Sequence, residues 1–206
     1  MEEAKLAIKY GASAIGLVSE MPSGPGVIAE DLITEIAASV PNEIKTFLLT
    51  SKITADEIIS QLINCKTNTV QLVDSVDFKV YRSLKEEIPQ ISVVQVIHVA
   101  NEESISKAKK VEKYVDAVLL DSGSQNKAIK ELGGTGRTHN WEVSKQIVKQ
   151  LKIPVFLAGG LNAENVKEAV EFVKPYGVDL CSGVRTNNKL DEIKLEKFFS
   201  VLKNLN

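Results

Sequence analysis

Short apolar runs alternate with amphipathic segments along almost the whole chain. The runs end at small or polar residues and predict strands buried within a parallel sheet, whereas the amphipathic segments have helical spacing. The predicted strands are Ser13–Val18, Lys45–Leu49, Thr69–Val73, Ser92–Val99, Ala117–Leu120, the run from Val155 to the paired glycines, and Gly177–Ser182. The predicted helices are Glu2–Tyr10, Glu30–Ser39, Thr54–Ile63, Val76–Glu87, Glu102–Lys113, the segment from Asn140 to Leu151, the segment after Asn162, and Asp191–Leu202.

The order of these elements predicts the fold class. Strict alternation with short connections indicates parallel strands joined by right-handed crossovers. Seven strands with eight helices, beginning on a helix, predict an α/β fold of the (β/α)8 TIM-barrel type that lacks strand 1, forming one domain over residues 1–206. A gap is then expected between the first and last strands. A doubly wound open sheet is the alternative, but no G-x-G-x-x-G follows the first strand.

Composition narrows the class of protein. With 206 residues, 44% hydrophobic and 25% charged, the chain is typical of a soluble globular protein. A net charge of −2 provides no electrostatic footprint for nucleic acid or an anionic membrane, and no apolar run approaches a membrane span. Two distant cysteines, Cys65 and Cys181, lack metal-ligand spacing. We therefore expect a cytoplasmic protein without a metal site and without nucleic-acid or membrane partners.

Glycines at the ends of the last two predicted strands indicate a phosphate site. One strand ends at Gly159 and Gly160, and the next ends at Ser182 and Gly183. Glycine allows backbone N–H groups to approach a ligand closely, and barrels often bind phosphate after their last strands. Glycines that merely turn the chain are the alternative interpretation. Asn162 is expected to cap the helix that follows.

Other polar residues are expected at the carboxyl ends of the strands. Asp121 follows the apolar run Ala117–Leu120, where desolvation would raise its pKa toward that of a general acid; a loop-bonding aspartate is the alternative. Gln71 is assigned to substrate binding. Cys181 faces either the pocket or the core, and the core orientation is favoured. The residues given mainly structural roles are His98, His139 and Cys65.

Several motifs, in order, resemble the phosphoribosylanthranilate isomerase family of tryptophan biosynthesis. They are Leu119-Leu120-Asp121, Gly133-Gly134-Thr135-Gly136, His139-Asn140-Trp141, Leu157-Ala158-Gly159-Gly160-Leu161, Asn165-Val166 and Gly177-Val178-Asp179-Leu180-Cys181-Ser182-Gly183-Val184. Weaker matches at Ala12–Val18 and Val70-Gln71-Leu72 extend the resemblance over nearly the whole chain.

The resemblance implies a (β/α)8 barrel and an Amadori rearrangement of a phosphorylated ribosylamine. It assigns the general acid to Asp121 and the phosphate site to Gly159, Gly160, Ser182 and Gly183. It also implies that Asp179 contacts the sugar, that the substrate is a small phosphorylated sugar, and that no metal or organic cofactor takes part. A monomer or a homodimer is expected.

The sequence departs from the family pattern in four places. The family's base, a cysteine at the end of the first strand, has no counterpart here, and the loop at Met21–Gly26 lacks the usual arginine. Val73-Asp74 replaces a His-Gly pair, and Arg185 replaces a glutamate.

Three explanations of these departures stay open. They are a family member whose coding start was placed too late, an isomerase for another phosphorylated sugar, and a non-catalytic phosphate-binding paralogue. Glu20, Asp74 or Cys181 would supply the base in the second explanation.

Overall fold

The computed structural model describes residues 1–22, 26–122 and 140–205. These residues form two compact units. Unit one comprises Met1–Pro22, Gly26–Val96 and Tyr114–Asp116, and unit two comprises Ile97–Lys113 and the described part of Ala117–Asn206. Whether the chain acts as a single domain over residues 1–206 stays a prediction.

The main strands and helices alternate as the hydrophobic pattern predicts. The parallel strands are β1 (Ala14–Val18), β2 (Lys45–Thr50), β3 (Thr69–Leu72), β4 (Ser92–His98), β5 (Ala117–Asp121), β6 (Val155–Leu157) and β7 (Gly177–Val178). The helices are α1 (Glu2–Tyr10), α2 (Glu30–Ser39), α3 (Ala55–Cys65), α4 (Phe78–Glu87), α5 (Glu103–Val111), α6 (Trp141–Gln150), α7 (Val166–Val173) and α8 (Glu192–Lys203). None of these described helices is long and apolar enough to span a membrane.

Unit one is built on β1 to β4, which pair in chain order. Leu17 pairs with Leu48, and Leu48 pairs with Val70. Every residue of β3 is buried, whereas β1 alternates between buried and exposed positions, with Ile15 and Leu17 buried and Gly16 exposed. Among the described strands, β1 pairs with β2 on one side only, apart from a single bridge between Val18 and Val27. The sheet of this unit is therefore most completely covered at its centre.

Unit two is built on β5, β6 and β7, which also pair in chain order. Leu119 pairs with Phe156, and Leu157 pairs with Val178. The end of β4 belongs to this unit, and the Val99 N–H beyond it donates to the Asp121 carbonyl at 2.9 Å. All five residues of β5 are buried, but both residues of β7 are half-buried. Parallel pairing brings the carboxyl ends of β5, β6 and β7 to the same edge.

The last part of unit two differs from the sequence prediction. Gly177–Ser182 was expected to be a strand, but β7 ends at Val178 and Ser182–Val184 form a 3-10 turn. A hairpin of β8 (Arg185–Thr186) and β9 (Lys189–Leu190) follows, which the apolar pattern did not predict. Asn187 and Asn188 occupy its turn at φ values of 50° and 62°, and asparagine tolerates this left-handed conformation well.

Some helices have side-chain caps, but the cap predicted at Asn162 is not formed. Asn140 and Asp191 cap α6 and α8 through their side chains. Asn162 does not cap α7, because that helix begins at Val166 with Asn165 at the cap position. The Asn162 side chain instead accepts from the N–H groups of Glu164 and Asn165 and forms a turn before the helix.

Candidate active site

A pocket opens at the carboxyl ends of β5, β6 and β7, entirely within unit two. Its lining includes Asp121, Gly159, Gly160, Asp179, Cys181 and Ser182. Asp121 is the last residue of β5, the two glycines follow β6 after Ala158, and Asp179 follows β7. The register of the three strands therefore brings together the predicted acid, the predicted glycine loop and the predicted sugar-contacting aspartate.

Asp121 is a buried carboxyl group at the base of this pocket, with 6% of the residue exposed. Burial raises its pKa, while hydrogen bonds from Ser122 and the charge interaction with His98 act in the opposite direction. The Ser122 N–H donates to Asp121 Oδ1 at 2.7 Å and fixes one face of the carboxyl group. Because burial is the largest effect, the protonated form is favoured over that of a free aspartate, as a general acid requires.

Asp179 is a second carboxyl group in the same pocket, and it differs from Asp121 in exposure. Asp179 lines the pocket but is exposed to solvent, whereas Asp121 is buried. Desolvation and the negative charge of Asp121 raise the pKa of Asp179 to about 6, partly offset by a backbone hydrogen bond from Leu180. The two groups therefore interact electrostatically across the pocket.

The glycine loop after β6 has a backbone that few other residues could adopt. Gly159 and Gly160 have φ values of 84° and 66°. A Cβ on Gly159 would lie 3.0 Å from the backbone nitrogen of Ser122, so the loop also packs closely against the segment after β5. Asn165 holds this loop from the helix side, because its Nδ2 donates to the Gly160 carbonyl at 3.0 Å.

Gly183 joins the second loop of the site to the first. A Cβ at this position would lie 1.9 Å from the Leu161 carbonyl oxygen, a distance that no side chain permits. Gly183 is therefore required for close contact between the 3-10 turn and the glycine loop. The two loops therefore meet, and a 3-10 turn rather than a strand end supplies the second one.

Four backbone N–H groups at this edge have no acceptor within the part of the chain that the structure describes. Among the described residues, nothing accepts from the N–H groups of Gly159, Gly160, Ser182 and Gly183. Three of these four residues line the pocket, and the fourth packs beside it. Backbone N–H groups are almost always paired when they are shielded from water, so a set left open around one concavity is typical of an anion site.

Of the remaining residues that the sequence suggested for the site, some line this pocket and others lie in unit one. Gln71 is buried within β3 of unit one and does not line this pocket, so its assignment to substrate binding stays a prediction. Glu20 is exposed and pairs with Lys52, and Asp74 is buried and accepts from the Ser75 N–H; both belong to unit one. Cys181 lines the pocket in a half-buried position, so the favoured core orientation was wrong. Once β7 ends at Val178, strand alternation no longer sets its direction.

Two histidines, one cysteine and one glycine-rich motif are the last predicted residues to be compared with the structure. His98 ends β4 and acts on Asp121 through its charge. Cys65 is fully buried at the end of α3, as expected for a packing residue, and burial raises its pKa to about 11. His139 and the motif Gly133–Gly136 lie outside the described residues. Among the described residues, no group of three His, Cys, Asp or Glu side chains has an arrangement suited to a metal ion.

Ser122 and Asn165 contribute to the site but were not predicted as functional residues. Ser122 positions the Asp121 carboxyl group, and Asn165 anchors the glycine loop. Asn165 was identified only as part of a motif, because a side-chain contact with a backbone carbonyl five residues earlier has no sequence signature. Ser122 directly follows the predicted acid, and this adjacency was the only available signal.

The fold and the site define a class of protein. The described residues form seven parallel strands and eight helices, with a buried acid and open N–H groups at the strand ends, as in a TIM-barrel enzyme for a phosphorylated substrate. Residues 3–201 match the family model of N-(5'-phosphoribosyl)anthranilate isomerase. The chain belongs to this family of isomerases in tryptophan biosynthesis, and the resemblance seen in the sequence is confirmed.

Individual relatives agree with this assignment. The chain is 37% identical to the N-(5'-phosphoribosyl)anthranilate isomerase of Bacillus cereus, over 96% of this chain and 91% of that protein. It is 32% identical to the enzyme of the same name from Methanocella arvoryzae, with the same two coverages. The crystal structure of phosphoribosyl anthranilate isomerase from Thermotoga maritima matches with a TM-score of 0.84 at 25% identity, covering 98% of this chain and 94% of that one. The predicted TIM-barrel fold class is confirmed.

Proposed function

We propose that this chain isomerises N-(5'-phosphoribosyl)anthranilate with Asp121 as the general acid. One observation supports this assignment of roles. In a single pocket, the buried carboxyl group of Asp121 lies beside backbone N–H groups that have no acceptor among the described residues. In the Amadori rearrangement, a proton must reach the furanose ring oxygen while the C1′–O4′ bond breaks. Burial raises the pKa of the Asp121 carboxyl group, so it holds a proton more firmly than a free aspartate does, as a proton donor requires.

The phosphate group of the substrate would bind at the two loops. The N–H groups of Gly159, Gly160, Ser182 and Gly183 supply donors without side-chain bulk. Asn165 keeps the Gly160 carbonyl turned toward itself, which fixes the orientation of the neighbouring peptide groups. Asp179 lines the same pocket as Asp121 and the glycine loop and would contact the sugar. Acid–base groups are sufficient for these steps, so the proposal includes no metal or organic cofactor.

The test is turnover of phosphoribosylanthranilate, followed by loss of the substrate's fluorescence. We expect Asp121→Asn to lower kcat about 10²- to 10⁴-fold, because an amide cannot donate the proton in the acid's place. Asp77→Asn is the matched control, since Asp77 caps α4 through a side-chain oxygen that asparagine retains. Normal turnover by Asp121→Asn would contradict the role of the acid. Binding of phosphate without any turnover by the unchanged chain would indicate a non-catalytic paralogue.

We also propose an oligomeric state and a cellular location for this enzyme. A cytoplasmic monomer or homodimer fits a biosynthetic enzyme whose described helices include no membrane-spanning candidate. Sedimentation of the purified chain over a range of concentrations distinguishes the two assemblies. A higher oligomer would contradict both.

A further inference from the structure

Asn165 occupies the position that would cap α7, but its side chain does not cap the helix. Asparagine at this position usually accepts a hydrogen bond from a backbone N–H of the first helical turn, which stabilises the helix. Here both polar groups of the side chain bond to the glycine loop instead. Oδ1 accepts from the Asn162 N–H at 2.9 Å, and Nδ2 donates to the Gly160 carbonyl at 3.0 Å. The side chain therefore stabilises the loop rather than its own helix.

These two hydrogen bonds fix two successive peptide planes, one on each side of Leu161. In a trans peptide, the C=O and the N–H that follows it point in opposite directions, and the described residues contain no cis peptide bond. The Gly160 carbonyl points toward Asn165, so the Leu161 N–H of the same plane points away from it. The Asn162 N–H points toward Asn165, so the Leu161 carbonyl points away as well.

Both backbone groups of Leu161 belong to the surroundings of the anion site. Leu161 lines the pocket, and no described residue accepts a hydrogen bond from its N–H. Its carbonyl is the group against which the 3-10 turn packs, since a Cβ on Gly183 would lie 1.9 Å from that oxygen and 3.1 Å from the Cβ of Asn162. The segment that Asn165 holds is therefore also the surface that contacts the second loop.

We propose that Asn165 is a positioning residue for the phosphate site, which sets the geometry of both loops without lining the pocket itself. The inference rests on the anion site of the proposed function and deepens it by naming the residue that holds its donors in place. The role depends on the polarity of the side chain, because the Asn162 N–H needs an acceptor and the Gly160 carbonyl needs a donor. Aspartate, the side chain closest in shape, keeps the acceptor but loses the donor.

The experiment titrates inorganic phosphate into the unchanged chain and into Asn165→Ser by calorimetry, and measures KM and kcat of both in the fluorescence assay. Serine suits the cap position, but its one polar atom lies too close to the backbone to span both loop groups. We expect phosphate to bind about tenfold more weakly, with a similar rise in KM and only a few-fold change in kcat, because the phosphate is held alike in the ground state and the transition state. A role confined to the stability of α7 would move neither the phosphate affinity nor KM.

The matched control is Asn101→Ser, the same substitution in the same unit. Asn101 is exposed, and its Oδ1 accepts from the Glu103 N–H at the start of α5, so it also bonds to the backbone at a helix start. We expect this variant to leave the phosphate affinity and KM unchanged.

Asn165→Asp is a second variant that retains more of the local structure. It keeps the acceptor for the Asn162 N–H, and a negative charge is favourable at a helix N-terminus, but a carboxylate then faces the Gly160 carbonyl. Asn162→Asp is the control matched in charge. It retains the acceptor for the Glu164 and Asn165 N–H groups and loses only a 3.5 Å contact with the Gly160 carbonyl. Phosphate should bind more weakly to Asn165→Asp than to Asn162→Asp.

The outcomes separate this inference from the isomerase function. Unchanged phosphate affinity in Asn165→Ser overturns the inference and leaves the function intact. If Asn165→Ser does not fold, equal weakening by the two aspartate variants overturns it, since added charge alone then accounts for the loss. Phosphate binding without turnover by the unchanged chain overturns the isomerase function, while the comparison of affinities still tests Asn165. Absence of phosphate binding by the unchanged chain overturns the anion site and this inference together.

Discussion

The two units differ in whether the polar groups near their strand ends have hydrogen-bond partners. In unit one, Ser19 Oγ donates to the Leu49 carbonyl at 2.7 Å, and Thr50 Oγ1 accepts from the Lys52 N–H. Gln95 is 2% exposed, accepts from the Tyr81 hydroxyl at 2.7 Å and donates to the Leu72 and Asp74 carbonyls. In unit two, four backbone N–H groups stay open among the described residues, and two carboxyl groups interact unfavourably.

This contrast distinguishes structural polar groups from functional ones. A buried polar group that has its partners stabilises the fold, because leaving it unpaired would cost about 1–3 kcal/mol. A set of open donors beside two crowded carboxyl groups lowers the stability of the free protein, and a ligand that accepts those hydrogen bonds offsets the cost. Residue type alone does not distinguish structural from functional polar groups, since both units have small polar residues or aspartates near the ends of their strands.

The largest effect that would test this contrast is expected at Gly183. Gly183→Ala places a Cβ against the Leu161 carbonyl, so the two loops must separate. We expect inorganic phosphate to bind at least about tenfold more weakly, equivalent to ~1.4 kcal/mol, as measured by titration calorimetry.

The control for Gly183→Ala is Gly16→Ala in unit one. Its Cβ would meet only the flexible end of the Leu49 side chain, at 3.3 Å. Unchanged phosphate affinity in Gly183→Ala would show that the two loops do not form the anion site together.

A change at Gln95 should have the opposite profile, lowering stability and sparing the chemistry. Gln95→Leu leaves the Tyr81 hydroxyl and the carbonyls of Leu72 and Asp74 without their partner. We expect the free energy of unfolding to fall by about 1–3 kcal/mol in urea titrations. Per-molecule turnover at 20 °C or another permissive temperature should stay near that of the unchanged chain. A selective loss of turnover with unchanged stability would place Gln95 among the functional residues instead.

Asp179→Asn should make the folded state more stable, in a pH-dependent way. The pKa of Asp179 is raised from 3.8 to about 6 in the folded state, so its contribution to stability is complete below pH 3.8 and is lost as the pH rises through about 6. Asparagine carries no charge and avoids that loss. The Tm of the variant should therefore exceed that of the unchanged chain at pH 8, and the difference should fade toward pH 4. An equal or lower Tm at pH 8 would argue against the desolvation and the repulsion by Asp121 that raise this pKa.

The smallest effect is expected at the exposed pair of Glu20 and Lys52. Their charged atoms lie 3.9 Å apart, and the Glu20 side chain is 89% exposed. We expect Glu20→Gln to change the free energy of unfolding by less than about 0.5 kcal/mol, with kcat also unchanged. A large drop in kcat would revive Glu20 as a candidate base and weaken the restriction of the chemistry to unit two.

The parts of the fold that could be predicted from sequence depend on local pattern. The apolar runs at Lys45–Thr50 and Ala117–Asp121 and the amphipathic spacing at Glu2–Tyr10 specify their elements almost without tertiary information. The end of β7 could not be predicted in this way, because the register of unit two stops the strand at Val178 although the apolar pattern continues. The hairpin at Arg185–Leu190 was missed because each strand has only two residues, although Asn187-Asn188 carried a turn signal.

The site shows the same division. Asp121, Gly159, Gly160 and Ser182 were predicted from their positions at strand ends and Asp179 from the family resemblance, and one pocket contains all five. The interaction between Asp121 and Asp179, the anchoring of the glycine loop by Asn165 and the orientation of Cys181 depend on distances across strands. No spacing along the chain encodes those distances, so only the structure reveals which of the predicted residues act on one another.

The close approach of Gly183 to Leu161 also has a consequence for motion. Two loops that touch through backbone atoms, with no side chain between them, cannot slide past each other without breaking that contact. They are therefore expected to open and close together, so that a phosphate held by one loop slows amide hydrogen exchange in both. We expect release of a bound phosphate to require both the glycine loop and the 3-10 turn to open.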